Sequence, residues 1–106
     1  MKRGLWEILV PVVNNRGKKI PVKFHQGWDA KVRAISGGLT IRKPEKGQWV
    51  HPESKSLFAE KMIPVKFMGT RDEADQIAQM TLEYYDQQAV MCYKIAEEVI
   101  MKVRSS

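Results

Sequence analysis

The sequence predicts an α+β domain of ferredoxin-like layout, with two helices on one face of a mostly antiparallel sheet. Two observations carry that prediction. Residues 57–95 read as strand, capped helix, strand, and the periodicities along the whole chain fall in the order β-α-β-β-β-α-β. With 106 residues the chain is read as one domain, 1–106, long enough for a modest core without metals or disulfides.

The first strand is expected over Leu5–Val13, where Trp6, Ile8, Val10 and Val12 share one face and Glu7 lies on the other. Asn14 to Lys19 form a polar, basic turn. Phe24, Trp28, Val32 and Ile35 then recur at helical spacing. The helix can be drawn from Val22, but Gly27 weakens its middle by about 1 kcal/mol relative to alanine, so its regular part is expected to begin nearer Asp29. Gly37-Gly38 supplies the stop. Leu39-Thr40-Ile41 is expected as a short strand, residues 43–47 as a turn, and Gln48-Trp49-Val50 as its hairpin partner. Residues 51–56 are a polar connection.

Ile63, Val65 and Phe67 alternate with Met62, Pro64 and Lys66, the period of a half-buried strand. Thr70-Arg71-Asp72-Glu73 has the spacing of a capping box, in which the hydroxyl and the carboxylate each satisfy the other residue's backbone N–H. Ala74, Ile77, Ala78, Leu82 and Tyr85 give the helix an apolar stripe. Val90 and Cys92 begin a last strand-like run. Beyond it Val99, Met101 and Val103 alternate, and the β-branched content favours extended structure.

The net charge of +6 is lopsided: residues 1–55 hold twelve Lys/Arg against four Asp/Glu, and residues 56–106 hold six against eight. A basic half favours an anionic small molecule or nucleic acid as partner. One cysteine permits no internal disulfide, and no run approaches the roughly 20 apolar residues of a membrane helix. A cytoplasmic protein without membrane contact is the resulting expectation.

Gly38-Leu39-Thr40-Ile41, Gly47-Gln48-Trp49 and an acid at Glu60 ahead of Met62-Ile63-Pro64-Val65 form a pattern, with Trp28 before it and Tyr85 through Val90 after it. The pattern resembles a family of small uncharacterised bacterial and phage proteins, over about residues 25–95. The resemblance implies a ferredoxin-like fold and no particular activity.

Motifs for chemistry are sparse. His25, His51 and Cys92 show no clustered metal-ligand spacing, so no metal site is expected. There is no nucleophile elbow and no phosphate loop, and no cofactor is expected. The candidate ligand-binding residues are Arg33, Arg42, Lys43, Lys46, Trp49, His51 and Tyr84. Arg42, Lys43, Lys46 and Trp49 would form a basic, aromatic-bearing hairpin, Arg33 could hold an anion, and Tyr84 sits at the rim of its helix. The absence of a catalytic signature makes a non-catalytic binding module the leading reading. It would act as a homo-oligomer, because a ferredoxin-like sheet leaves one face uncovered. Two alternatives remain open: nucleic-acid binding through the basic hairpin, and a small enzyme pairing His51 or His25 with a carboxylate in a sheet–helix cleft.

Overall fold

In the computed structural model, which describes residues 2–105, seven elements follow one another. They are β1 (Gly4–Pro11), α1 (Val22–Ser36), β2 (Thr40–Ile41), β3 (Glu45–Val50), β4 (Leu57–Gly69), α2 (Arg71–Tyr84) and β5 (Cys92–Ala96). All strand pairings are antiparallel, in the order β2-β4-β1-β5, with β3 also on β4. The α+β, ferredoxin-like architecture is therefore the observed one.

Residue alternation explains which face holds the core. Trp6, Ile8 and Val10 of β1 pack with Val65 and Phe67 of β4 against Trp28 and Val32 of α1 and Ala74 and Ile77 of α2. Each of these strand residues is two positions from the next, so all project to the helix side of the sheet. Trp28 is completely enclosed, and its indole N–H donates to the Thr81 hydroxyl at 2.9 Å, which itself donates to the Ile77 carbonyl at 2.6 Å. A buried polar atom thereby keeps a partner. The α2 stripe accordingly runs through Ala74, Ile77 and Thr81 to Tyr85, while Leu82 is only half-buried.

The capping box forms as expected. The Thr70 hydroxyl accepts from the Glu73 N–H at 3.1 Å, and the Glu73 carboxylate accepts from the Thr70 N–H at 2.8 Å. Arg3 adds a charged contact to the same carboxylate at 3.1 Å.

Three expectations need correction. The first helix does begin at Val22, and it is regular from there through Gly27, with no later start at Asp29. The glycine is accommodated because a Cβ there would collide with the Tyr84 hydroxyl, which donates to the Phe24 carbonyl at 2.8 Å. Close approach of the two helices decides that position. Secondly, β2 and β3 are not hairpin partners: both lie along β4, with Thr40 opposite Lys66 and Glu45 opposite Met62. Pro44 lacks the N–H of a ladder residue, and the register advances by one across Arg42-Lys43-Pro44, so one edge strand is kinked there. The hairpin is instead β3–β4, closed by residues 51–56. Thirdly, residues 97–105 form no strand, and Ile100, Met101 and Val103 are more than 60% exposed.

Candidate functional site

β4 is long enough to serve two partners in turn. Its C-terminal half, Met62 to Gly69, pairs with β1, whereas its N-terminal half pairs only with β3. The β3–β4 hairpin therefore projects past the four-stranded sheet as an arm. On the face away from the helices, alternation places Gly47 and Trp49 of β3 beside Phe58, Glu60 and Met62 of β4. Trp49 and Phe58 stack, with centroids 4.7 Å apart and planes inclined by 13°.

Between this arm and the start of β5 lies a groove of about 350 Å³. Leu9, Met62, Val90 and Met91 make it apolar, Trp49 and Gln48 form one wall, and Glu60 is the one carboxylate lining it. Cys92 is also in the lining; burial pushes its thiol up to about 11, so it is a protonated packing group and not a thiolate nucleophile at neutral pH.

Further along the same open face, Glu7 is only 7% exposed. Tyr93, its partner across the β1–β5 ladder, donates its hydroxyl to the Glu7 carboxylate, and the Arg42 guanidinium approaches the other oxygen at 3.3 Å. The hydrogen bond to Glu7 and burial together push the Tyr93 phenol up to about 12. A carboxylate in the middle of a half-covered sheet is retained because both oxygens are partnered.

The candidate residues named from the sequence are scattered relative to this face. Arg42 and Trp49 are on it. Lys46 lies on β3 one residue from Gly47, so it projects to the opposite side of the arm from Trp49. Lys43 is exposed at the kink. Arg33 is exposed in the last turn of α1, on the helix side of the sheet. His51 caps the arm's tip: its Nδ1 accepts from the N–H groups of Glu53 at 3.1 Å and Ser54 at 3.3 Å. Tyr84 ties α2 to the Phe24 carbonyl. The cations thus do not converge on Trp49. His25 has a separate role, its Nδ1 lying 2.7 Å from the Tyr85 hydroxyl between the helices. Among the described residues no group of three or more His, Cys, Asp or Glu side chains is placed to hold a metal ion, and no described helix is long and apolar enough to cross a membrane.

Glu7, Tyr93, Met62 and Met91 did not stand out in the sequence as site residues, because each reads as one tooth of an alternating strand. Glu60 reads in the sequence only as the acid preceding Met62-Ile63-Pro64-Val65, part of a fold pattern and outside the candidate ligand-binding residues. The signal available for Glu7 was its position as the only charge inside an apolar strand.

No protein-family model matches the sequence, and no curated protein matches it in sequence. Solved structures do match in fold. A phage SAM lyase in complex with S-methyl-5'-thioadenosine superposes with a TM-score of 0.69 at 10% identity, covering 97% of this chain and 88% of that one. The periplasmic divalent cation tolerance protein CutA from Archaeoglobus fulgidus gives 0.64 at 9% identity, covering 94% and 88%. CutA from Synechococcus elongatus gives 0.57 at 14% identity, covering 90% and 76%. At these identities the similarity is one of fold.

Proposed function

We propose that this chain is a homo-oligomeric binding domain whose groove takes a small purine nucleoside bearing a thioether or sulfonium group. The observation that carries the reading is that Trp49, held by its stack on Phe58, lines the same apolar groove as the lone carboxylate of Glu60. A purine presents a flat π face, for which stacking on an aromatic side chain contributes about 1–3 kcal/mol. Ribose hydroxyls are donors for Glu60, and a sulfonium cation is drawn both to a carboxylate and to an aromatic face. Leu9, Met62 and Met91 suit an alkylthio group. The phage lyase of the same fold was solved with such a thionucleoside bound, which supports this ligand class. The groove's lining contains no Lys or Arg, so the ligand would be neutral or cationic, in place of the anion that the charge balance suggested. Homo-oligomerisation is supported by the open sheet face, where Leu5, Leu9, Met62 and Met68 are half-buried and no helix covers them.

Isothermal titration with S-methyl-5'-thioadenosine and S-adenosylmethionine tests the reading. Both should bind. Trp49→Ala should weaken each by roughly tenfold or more, and Glu60→Gln should weaken the sulfonium more than the thioether. Absence of binding by either compound at millimolar concentration would overturn it.

A second reading makes the groove an enzyme site acting on the sulfonium. It is favoured by the lyase similarity extending over 97% of the chain. A sulfonium carries its own leaving group, a neutral thioether. The substrate's own carboxylate can bond the carbon as the C–S bond breaks, giving a lactone and the thionucleoside, so the protein need only desolvate and orient the substrate. Chromatography of S-adenosylmethionine incubated with the protein separates the readings. Release of S-methyl-5'-thioadenosine above the spontaneous rate, lost in Glu60→Gln, establishes the enzyme; no release leaves the binding domain.

A further inference from the structure

We propose that residues 99–103 of one copy add as a β-strand to the free edge of β4 at Leu57–Glu60 in another, linking copies head to tail. The inference rests on the homo-oligomer part of the reading above and is independent of the ligand.

The edge is identified by hydrogen bonding. The Val12 N–H donates to the Lys61 carbonyl at 3.4 Å on the β1 side of β4, while the Pro64 carbonyl accepts from the Arg42 N–H at 2.9 Å on the β2 side. Backbone groups alternate in direction along a strand, so Leu57 and Ala59 aim their N–H and C=O groups to the β1 side. β1 has ended at Pro11, opposite Met62, and no described backbone group pairs with those of Leu57 and Ala59 on that side. Sheets usually blunt such edges with charge or proline. The outer edge of β3 is blunted in that way, by Lys43, Pro44 and Lys46. The unpaired stretch of β4 instead opens with Leu57, Phe58 and Ala59, Leu57 being 65% exposed, and meets charge only at Glu60 and Lys61, where β1 approaches.

The complementary element is Val99-Ile100-Met101-Lys102-Val103. It is rich in β-branched residues, has Ile100 at 83% and Val103 at 81% exposure, and adopts no secondary structure in the isolated chain. β-Strand addition satisfies such a segment and such an edge together.

Geometry makes the occupant a second copy. Ala96 stands opposite Leu5, which stands opposite Met68. From Met68 back to Ala59 along β4 is about 30 Å at the usual rise per residue. The three residues from Ala96 to Val99 reach about 11 Å at full extension. Moreover, β5 leaves the sheet at the end away from the arm, and Met101 lines a hollow with Leu5, Gly38 and Met68 there. A chain cannot cover its own edge. Because edge and segment lie at opposite ends of a molecule 49 Å long, the contact is heterologous, the kind that generates a ring when its rotation closes. The incoming strand would lie beside Glu60 and complete one side of the groove.

Hydrogen exchange and sedimentation of the full chain test the proposal. The wild type should sediment as a closed oligomer, with the Ala59 amide protected. Ala59→Pro removes only an outward N–H and leaves the β3 ladder intact; it should yield monomers with an unchanged far-ultraviolet spectrum. Ile100→Asp with Val103→Asp should yield the same monomers without touching the folded sheet. A wild type that stays monomeric at high concentration overturns both this inference and the homo-oligomer reading. An oligomer that survives both variants, or that leaves the Ala59 amide exchanging at the rate of an unprotected one, overturns the strand addition alone.

Discussion

Tyr93 on β5 donates its hydroxyl to the carboxylate of Glu7, its directly paired residue on β1, and so closes the polar centre of an otherwise apolar sheet face. Ionising the phenol would set two negative charges side by side, which is why its titration is pushed up to about 12.

The sign of the resulting pH dependence is fixed. In the unfolded chain a tyrosine titrates near its usual value of about 10. The folded protein therefore holds the proton more tightly, and the stability this represents is present below about 10 and is lost as pH rises towards about 12. Ultraviolet-monitored titration should show two phenols ionising late, Tyr93 and the buried Tyr85. Glu7→Gln should bring the Tyr93 transition back towards the ordinary range.

Gly27→Ala should destabilise the protein, against the usual rule. Alanine in a helix interior is ordinarily favoured over glycine by about 1 kcal/mol, but here the new Cβ meets the Tyr84 hydroxyl. Chemical denaturation should show a loss of roughly 1 kcal/mol or more as the bond to the Phe24 carbonyl is broken. In a Tyr84→Phe background the same substitution should turn neutral or stabilising, because the colliding atom is gone.

Thr70→Ala should cost about 1 kcal/mol, the usual effect of removing an N-cap hydroxyl. Thr70→Ser should restore most of it. The midpoint of thermal unfolding reads both. No change in ligand affinity is expected, since the cap lies on the helix side of the sheet, away from the groove.

His25 should titrate below its usual value of 6.5, because burial disfavours the imidazolium more than the nearby Asp29 favours it. A depressed histidine contributes stability that is present above about 6.5 and is lost as pH falls through the lower folded value. Proton NMR of the ring should give the folded value. His25→Asn should flatten the acid limb of the stability profile.

Local physics made much of this fold legible. The capping box needs only Thr70 and Glu73 three residues apart, and the alternation of Trp6, Ile8 and Val10 needs only the two-residue period of a strand. Such signals depend on neighbours in the chain. The β3 pairing was misread because register is set by partners distant in sequence: Gln48-Trp49-Val50 pairs equally well, by propensity, with either flanking strand. Gly27 follows the same logic, since the low helix propensity visible in the sequence is overridden by the approach of Tyr84, 57 residues away in the sequence. At the site, Trp49 is legible from its residue type, whereas Glu7 and Tyr93 are not, because their meeting is a cross-strand event.

The sequence by itself thus determined the element types, the capped start of α2, and the two helices on one face of an antiparallel sheet, because hydrophobic period and capping chemistry act over a few residues. Only the tertiary structure decided that β3 extends β4 into a projecting arm, that Trp49 stacks on Phe58 beside Glu60, and that the basic residues of the first half stay apart. Those outcomes follow from strand register, which assigns every side chain to a face and which no local stretch of the chain contains.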